Sequence, residues 1–150
     1  MTEQYLEDLA VGQRFSTGRH IVDDSQIKTF AAEFDPQPFH LDANAAERSI
    51  FRGLAASGWH TAAITINLIV HGDFRPAGGV IGLGLEEMQW PRPVRPGDEL
   101  HVETEILQVR PSASKPTQGV LKVRNTTLNQ DGHAVMLQTV NLLVFRRPTG

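Results

Sequence analysis

The sequence predicts an α+β fold in which an antiparallel sheet wraps around one long buried helix. Residues 53–72 contain no Asp, Glu, Lys or Arg, and apolar residues fall nearly all round a helix drawn through them, which is typical of a helix inside a protein. Residues 100–106 alternate between core-type and polar side chains, the period of a half-buried strand. Asp131 and Gly132 form a strong hairpin signal. Short helices, one long helix and then a meander of strands make an α+β plan.

The first half of the chain predicts three helices. Apolar residues recur at helical spacing from Ile27 to Phe34, so we expect a helix that is capped by Asp24 or Ser25 and ends before Pro36. A second, short helix is expected, with Asp42 as its cap and with its end near Ser49. In the long uncharged segment, Ser57 is the expected cap of a helix over about 58–70.

The second half predicts strands. Residues 80–90 and 100–106 are expected to be extended, and a turn-rich connector with three prolines separates them. Residues 120–129 and 133–146 flank the hairpin signal and complete the meander. The polar residues 111–116 are expected to form a loop.

Composition limits the class of protein. A chain of 150 residues is most simply one domain, here 1–150, and its 40% hydrophobic and 21% charged residues are ordinary for a soluble globular protein. The net charge of −3 argues against a nucleic-acid partner. The absence of cysteine excludes a disulfide framework, a thiolate nucleophile and a cysteine-ligated metal. The N-terminus lacks the pattern of a signal peptide, so we expect a cytoplasmic protein.

The uncharged segment is nominally long enough to cross a bilayer, yet we predict no membrane association. Glycines at 53, 58 and 72 interrupt it, and polar side chains are spread along it. These polar residues are Ser57, His60, Thr61, Thr65, Asn67 and His71.

Residues 34–42 carry the strongest functional signal. Asp35 precedes His40 by five residues, and Pro36 and Pro38 stiffen the link between them. We expect a rigid loop that presents a carboxylate and an imidazole within about 3–6 Å, close enough to share one water. The sequence therefore predicts an acid–base pair at this loop.

This motif resembles that of the MaoC-like dehydratases, the (R)-specific enoyl-CoA hydratase branch of the hotdog fold. The resemblance covers about residues 9–145, and its matching positions are Phe30, Asp35, Pro38, Phe39, His40, Leu41, Asp42, Phe51, Gly53, Ser57, Gly58, Trp59 and residues 93–100. Two departures concern the surroundings of the pair. Gln37 replaces the family's usual Asn and Phe34 a glycine, while Ser57-Gly58-Trp59 replaces His-Gly-Met and a histidine follows at His60.

The resemblance implies a single hotdog domain that forms a homodimer and hydrates or dehydrates an acyl thioester. Asp35 and His40 would hold the water, and the Gly58 N–H at a helix N-terminus would polarise the thioester oxygen. Further substrate contacts are expected from Gln37, Ser57, Trp59 and His60, together with Gly58. Coenzyme A would be part of the substrate, with no separate cofactor and no metal.

Alternatives follow from the same residues. A hotdog thioesterase would use a carboxylate to activate water against the thioester carbonyl, and a non-catalytic protein would bind acyl thioesters without turnover. A metal site at Asp35, His40 and Asp42 is disfavoured, because Asp42 is better used as a cap. A Ser-His-Asp triad is disfavoured because Ser57 is expected to cap a helix.

Overall fold

The computed structural model describes residues 2–149. Within this range a 3-10 turn at Leu6–Asp8 precedes the helices α1 Asp24–Phe34, α2 Pro38–Leu41, α3 Ala43–Glu47 and α4 Gly58–Val70. The strands are β1 Arg14–Ser16, β2 His20–Ile21, β3 Ile81–Gln89, β4 Glu99–Pro111, β5 Gln118–Leu128 and β6 Ala134–Phe145. The chain is a single hotdog domain of the predicted α+β class.

The sheet is antiparallel, with the strand order β1-β4-β5-β6-β3 and with β2 pairing to the start of β4. Strand β4 was expected from its alternation, and β5 and β6 from the hairpin signal between them, where the chain turns through Gly132 at φ 76°. Strands β1 and β2 were not predicted. They are three and two residues long, too short to show a period.

Helix α4 is the longest helix in residues 2–149, as predicted, and it begins at Gly58 with Ser57 as its cap. Its buried face packs on the sheet, where the hydroxyls of Thr65 and Thr127 lie 2.6 Å apart and join the helix to β5. The expectation of burial all round is wrong for the single chain. Trp59, Ile66 and Val70 are exposed along the opposite side of α4, because the sheet covers only one face.

Two local predictions need correction. The cap of α1 is Asp23, not Asp24 or Ser25, since its carboxylate accepts the Gln26 N–H at 2.8 Å. The rigid loop expected over residues 34–42 contains the short helix α2, which starts at Pro38, where the N–H that proline lacks would have no helical acceptor. By contrast, α1 ends before Pro36 and Asp42 caps α3, as predicted.

Within residues 2–149, every helix falls short of the length and apolar character that crossing a membrane requires.

Candidate active site

Asp35 and His40 line a cavity of about 440 Å³ beside the N-terminus of α4. Three elements meet there: the end of α1 with α2, the start of α4, and the segment that follows β3. The other lining residues are Gln37, Phe39, Phe51, Ala56, Gly58, Trp59, Thr61, Trp90, Arg92, Pro93 and Val94.

Asp35 is held at the end of α1, where its N–H donates to the Ala31 carbonyl at 2.9 Å and Pro36 stops the helix. Both oxygens of its carboxylate accept hydrogen bonds. Oδ1 accepts from the Gln37 amide at 2.6 Å, and Oδ2 accepts from the Ser57 hydroxyl at 2.7 Å. The carboxylate is therefore fixed in position and direction.

His40 is buried, with 4% of its surface exposed. Its Nδ1 lies 2.6 Å from the carbonyl oxygen of Ala55, which can only accept, so Nδ1 carries the hydrogen. This fixes the neutral tautomer with its lone pair on Nε2. Nε2 lies 3.4 Å from Asp35 Oδ2, within the 3–6 Å expected for the pair.

The segment that carries Ala55 is anchored by Arg95, a contact that the sequence did not predict. The Arg95 guanidinium donates to the carbonyl of Gly53 at 2.9 Å and to those of Leu54 and Phe51. The three carbonyls lie outside the helices and strands, so the guanidinium supplies hydrogen bonds that secondary structure does not. Arg95 thereby stabilises the strip of backbone that orients His40.

Hydrogen bonding sets the charge of Asp35. Partial burial raises the pKa of the carboxyl, but the bonds from Ser57 and Gln37, together with the positive charge that His40 carries when it is protonated, hold it below its ordinary value. Asp35 is thus an anion at neutral pH. In the neutral form of His40, its Nε2 and Asp35 Oδ2 are two adjacent acceptors at one cavity.

Gly58 opens α4 and contacts the other wall of the cavity. Among the described residues we find no acceptor for its N–H, and its carbonyl accepts the Trp90 indole N–H at 3.0 Å. A Cβ atom at this position would lie 2.7 Å from the Trp90 ring. Glycine is therefore needed for the indole to pack against the helix start, and Trp59 stacks edge-on against the same indole.

Two residues predicted as substrate contacts do not line the cavity. Ser57 is fully buried and bonds Asp35, so it is excluded both as a substrate contact and as an exposed nucleophile. His60 does not line the cavity and stacks instead on Phe30 of α1, with ring centroids 4.6 Å apart. Its position two residues past the helix start turns it towards α1. Gln37, Gly58 and Trp59 do line the cavity.

Among the described residues, one ring nitrogen of His60 lacks a polar contact. Its Nδ1 is buried with no hydrogen-bond partner in residues 2–149. Burial, with a smaller effect of His20, lowers the pKa of the His60 imidazole below its ordinary value.

Several cavity residues were missed by the sequence prediction. Phe39 and Phe51 pack against each other and flank His40, while Trp90 and Arg92 enter from the end of β3. The signal for the latter two was the Trp-Pro-Arg-Pro sequence after a predicted strand, because rigid turns at strand ends often carry functional side chains. No group of three His, Asp or Glu residues in the described part of the chain is arranged to hold a metal ion.

Comparisons with known proteins identify the family of this chain. A model of the MaoC-like domain family matches residues 8–128. The uncharacterized protein YdeM of Bacillus subtilis is 33% identical over 141 residues, which cover 94% of this chain and 99% of YdeM. The mesaconyl-CoA hydratase of Cereibacter sphaeroides is 37% identical over 70 residues, but these cover 47% of this chain and 20% of that enzyme.

Two solved structures are also similar to this chain. A MaoC-like dehydratase from Rhodospirillum rubrum has a TM-score of 0.94 and 55% identity, with 97% of this chain and 99% of that chain covered. The R-hydratase PhaJ1 from Pseudomonas aeruginosa has a TM-score of 0.74 and 28% identity, with coverage of 95% and 86%.

Proposed function

We propose that this chain, which belongs to the MaoC-like family, catalyses the reversible addition of water to the double bond of an enoyl thioester. The hydro-lyase class follows from the family. The observation that supports the reaction here is the pair of acceptors, Asp35 Oδ2 and His40 Nε2, 3.4 Å apart at the cavity wall.

The pair is suited to hold one water. When Asp35 is ionised and His40 is in its neutral form, neither atom can donate to the other, so a water that donates one hydrogen to each satisfies both. Such a water has both O–H bonds occupied and turns its lone pairs towards the cavity. This orientation suits attack on C3 of an enoyl group.

The proton balance then follows. As the O–C3 bond forms, one O–H bond of the water breaks and its proton passes to His40 Nε2, the more basic of the two acceptors. The electron pair of the double bond moves towards the thioester oxygen, where the Gly58 N–H at the helix N-terminus stabilises the charge. The pair returns a proton to C2, and the site regains its starting state.

The substrate is proposed to be a coenzyme A thioester. The name of the mesaconyl-CoA hydratase supports this class, and that of the R-hydratase PhaJ1 supports the reaction. Arg92 is the one arginine among the cavity's lining residues, and its charge at the mouth suits an anionic carrier.

A homodimer is proposed from the exposed edge of the sheet. Within residues 2–149, β3 pairs only with β6, so its other edge presents free backbone groups. Leu83 and Leu85 on β3 and Ile66 on α4 are exposed nearby. A second copy that pairs β3 with β3 would satisfy the edge and cover these side chains. Light scattering at micromolar concentration tests this: we expect a dimer that Leu85→Asp dissociates, and a wild-type monomer would contradict it.

The reaction is tested by a spectrophotometric screen of enoyl-CoA thioesters of varied length and branching, with free thiol measured in parallel. We expect loss of the conjugated double bond with the thioester intact. Release of thiol would instead establish a thioesterase. Binding of thioesters without either change, together with unaltered binding by Asp35→Asn, would establish a non-catalytic protein.

A further inference from the structure

The side chains of Gln37 and Ser57 converge on a single group. The Gln37 amide donates to Asp35 Oδ1 at 2.6 Å, and the Ser57 hydroxyl donates to Oδ2 at 2.7 Å. Both side chains therefore act on the carboxylate of the proposed catalytic pair.

We infer that Gln37 and Ser57 are positioning residues that act through Asp35, holding its carboxylate ionised and aimed at His40. Neither residue is required to touch the substrate in this role. Because the inference rests on the proposed hydratase reaction for its effect on rate, its test needs a second measurement that is independent of activity.

The contacts of Ser57 commit its hydroxyl hydrogen to Asp35. Its oxygen accepts the Trp59 N–H at 3.2 Å, and the side chain is fully buried, so it has no further hydrogen to donate to a substrate. Ser57 thus joins the start of α4 to Asp35, and the same bonds that place Gly58 also place the carboxylate. Gln37, by contrast, is exposed at the cavity mouth, so its substitution leaves the core intact.

Besides these hydrogen bonds, few charged groups act on the ionisation of the Asp35 carboxyl. The ionisable side chains that line the cavity with it are His40 from α2 and Arg92 from the segment after β3, while α4 contributes none because His60 faces α1. Removing the donor at Gln37 or at Ser57 therefore takes one hydrogen bond from the Asp35 carboxylate and puts no positive charge in its place. Such a change favours the protonated carboxyl.

The experiment compares Gln37→Met and Ser57→Ala with the wild type, using the ¹³C titration of the Asp35 carboxyl in labelled protein and the pH dependence of enoyl-CoA hydration. We expect each variant to move the Asp35 titration to higher pH. We expect kcat to fall by about 10- to 100-fold, the usual effect of one hydrogen bond to a charged group, with KM unchanged. Ser57→Thr keeps the hydroxyl and should restore the wild-type titration.

A matched control separates the loss of a helix cap from the loss of a donor to Asp35. Asp23→Ala removes the cap of α1, as Ser57→Ala removes that of α4, and should lower the melting temperature without moving the Asp35 titration. If Ser57→Ala does not fold, Gln37→Met alone decides the matter.

Two results would overturn the inference: an unmoved Asp35 titration in Gln37→Met, or a raised KM with unchanged kcat, which would make Gln37 a substrate contact. If the wild type hydrates no enoyl thioester, the proposed function fails, yet the ¹³C titration still decides whether the two donors control Asp35.

Discussion

His40 and His60 are both buried near the start of α4, with 4% and 7% of their surfaces exposed, yet their surroundings differ in kind. Both ring nitrogens of His40 face polar partners, the Ala55 carbonyl and the Asp35 carboxylate. His60 stacks flat on Phe30 and leaves a buried nitrogen without a partner. The first histidine has a fixed tautomer and an accessible lone pair, whereas the second is an aromatic packing element.

The difference shows which of the two histidines suits the proposed acid–base role. Both residues were candidates by sequence, since each lies close to a motif position and near a helix start. Burial does not separate them. What separates them is a hydrogen-bonded partner on one nitrogen and a cavity in front of the other, which together make an imidazole a usable base.

The sharpest way to break this comparison is to remove each histidine in turn. His40→Asn keeps a donor for the Ala55 carbonyl but lacks Nε2, so we expect kcat for enoyl-CoA hydration to fall by about 10²- to 10⁴-fold with little loss of stability. His60→Phe keeps the stacked ring and should retain kcat near the wild-type value. Steady-state kinetics and thermal melts measure both.

The pair should also behave as a unit. Asp35→Asn is expected to lower kcat by about 10²- to 10⁴-fold, and the double variant with His40→Asn should be little worse than either single, because both residues act on one water. Strictly multiplicative losses would show that the two side chains act in separate steps. If His60→Phe and His40→Asn were both as active as the wild type, the two histidines would not differ in function.

A smaller effect is expected from Gly58→Ala, which changes the start of α4 beside the cavity and leaves Asp35 and His40 themselves intact. The added Cβ would lie 2.7 Å from the Trp90 ring, so the indole and the helix start must separate. We expect overpacking to cost about 1–3 kcal/mol of stability, and misplacement of the Gly58 N–H to lower kcat by about 10²-fold.

Gly18→Ala is the matched control, because a Cβ there meets no atom within 4 Å. Pairing Gly58→Ala with Trp90→Leu should recover part of the stability by making room for the new methyl group. Wild-type kinetics in Gly58→Ala would show that the close approach of Trp90 and α4 does not position the donor.

The fold and the pair could be predicted because their signals are local. Alternation indicates β4, the Asp-Gly turn indicates β5 and β6, the uncharged run indicates α4, and the acid–histidine spacing lies within one short segment. The partners of the pair could not be predicted. Ser57 meets Asp35 across 22 positions and Arg95 meets Gly53 across 42, and these contacts depend on how α4 and the segment after β3 pack.

The same reason explains the errors. Ser57 and His60 were placed at the substrate because they follow a motif in sequence, but successive residues of a helix start point in different directions. The exposed side of α4 was expected to be buried because a run of apolar residues does not tell whether its cover comes from the same chain or from a second copy.

A further prediction sharpens the contrast between the cavity of His40 and the rest of the surface. Arg92 lines that cavity and is exposed, so Arg92→Ala should raise KM for a CoA thioester by about 2- to 5-fold and leave kcat unchanged, the usual value of one screened charge. Arg110→Ala is the matched control, since Arg110 does not line the cavity. Equal KM values for the two variants would show that the carrier does not pass Arg92.

The smallest effect concerns the stability that His60 contributes. Burial lowers the pKa of its imidazole below the ordinary 6.5, so below that pH the unfolded chain binds a proton that the folded chain resists. The free energy of unfolding should therefore fall as the pH drops through about 6.5 and continue to fall until the folded imidazole itself becomes protonated. His60→Phe should remove this component of the slope, and at neutral pH it should be as stable as the wild type or more so, because it deletes a buried nitrogen without a partner. Urea unfolding between about pH 5 and 7.5 measures the two slopes, with His133→Gln, which removes an exposed histidine, as the control for losing one imidazole. If His60→Phe and the wild type lose stability in parallel on acidification, His60 gains a proton in the folded state as easily as in the unfolded chain, and its burial against Phe30 does not disfavour the charged imidazole.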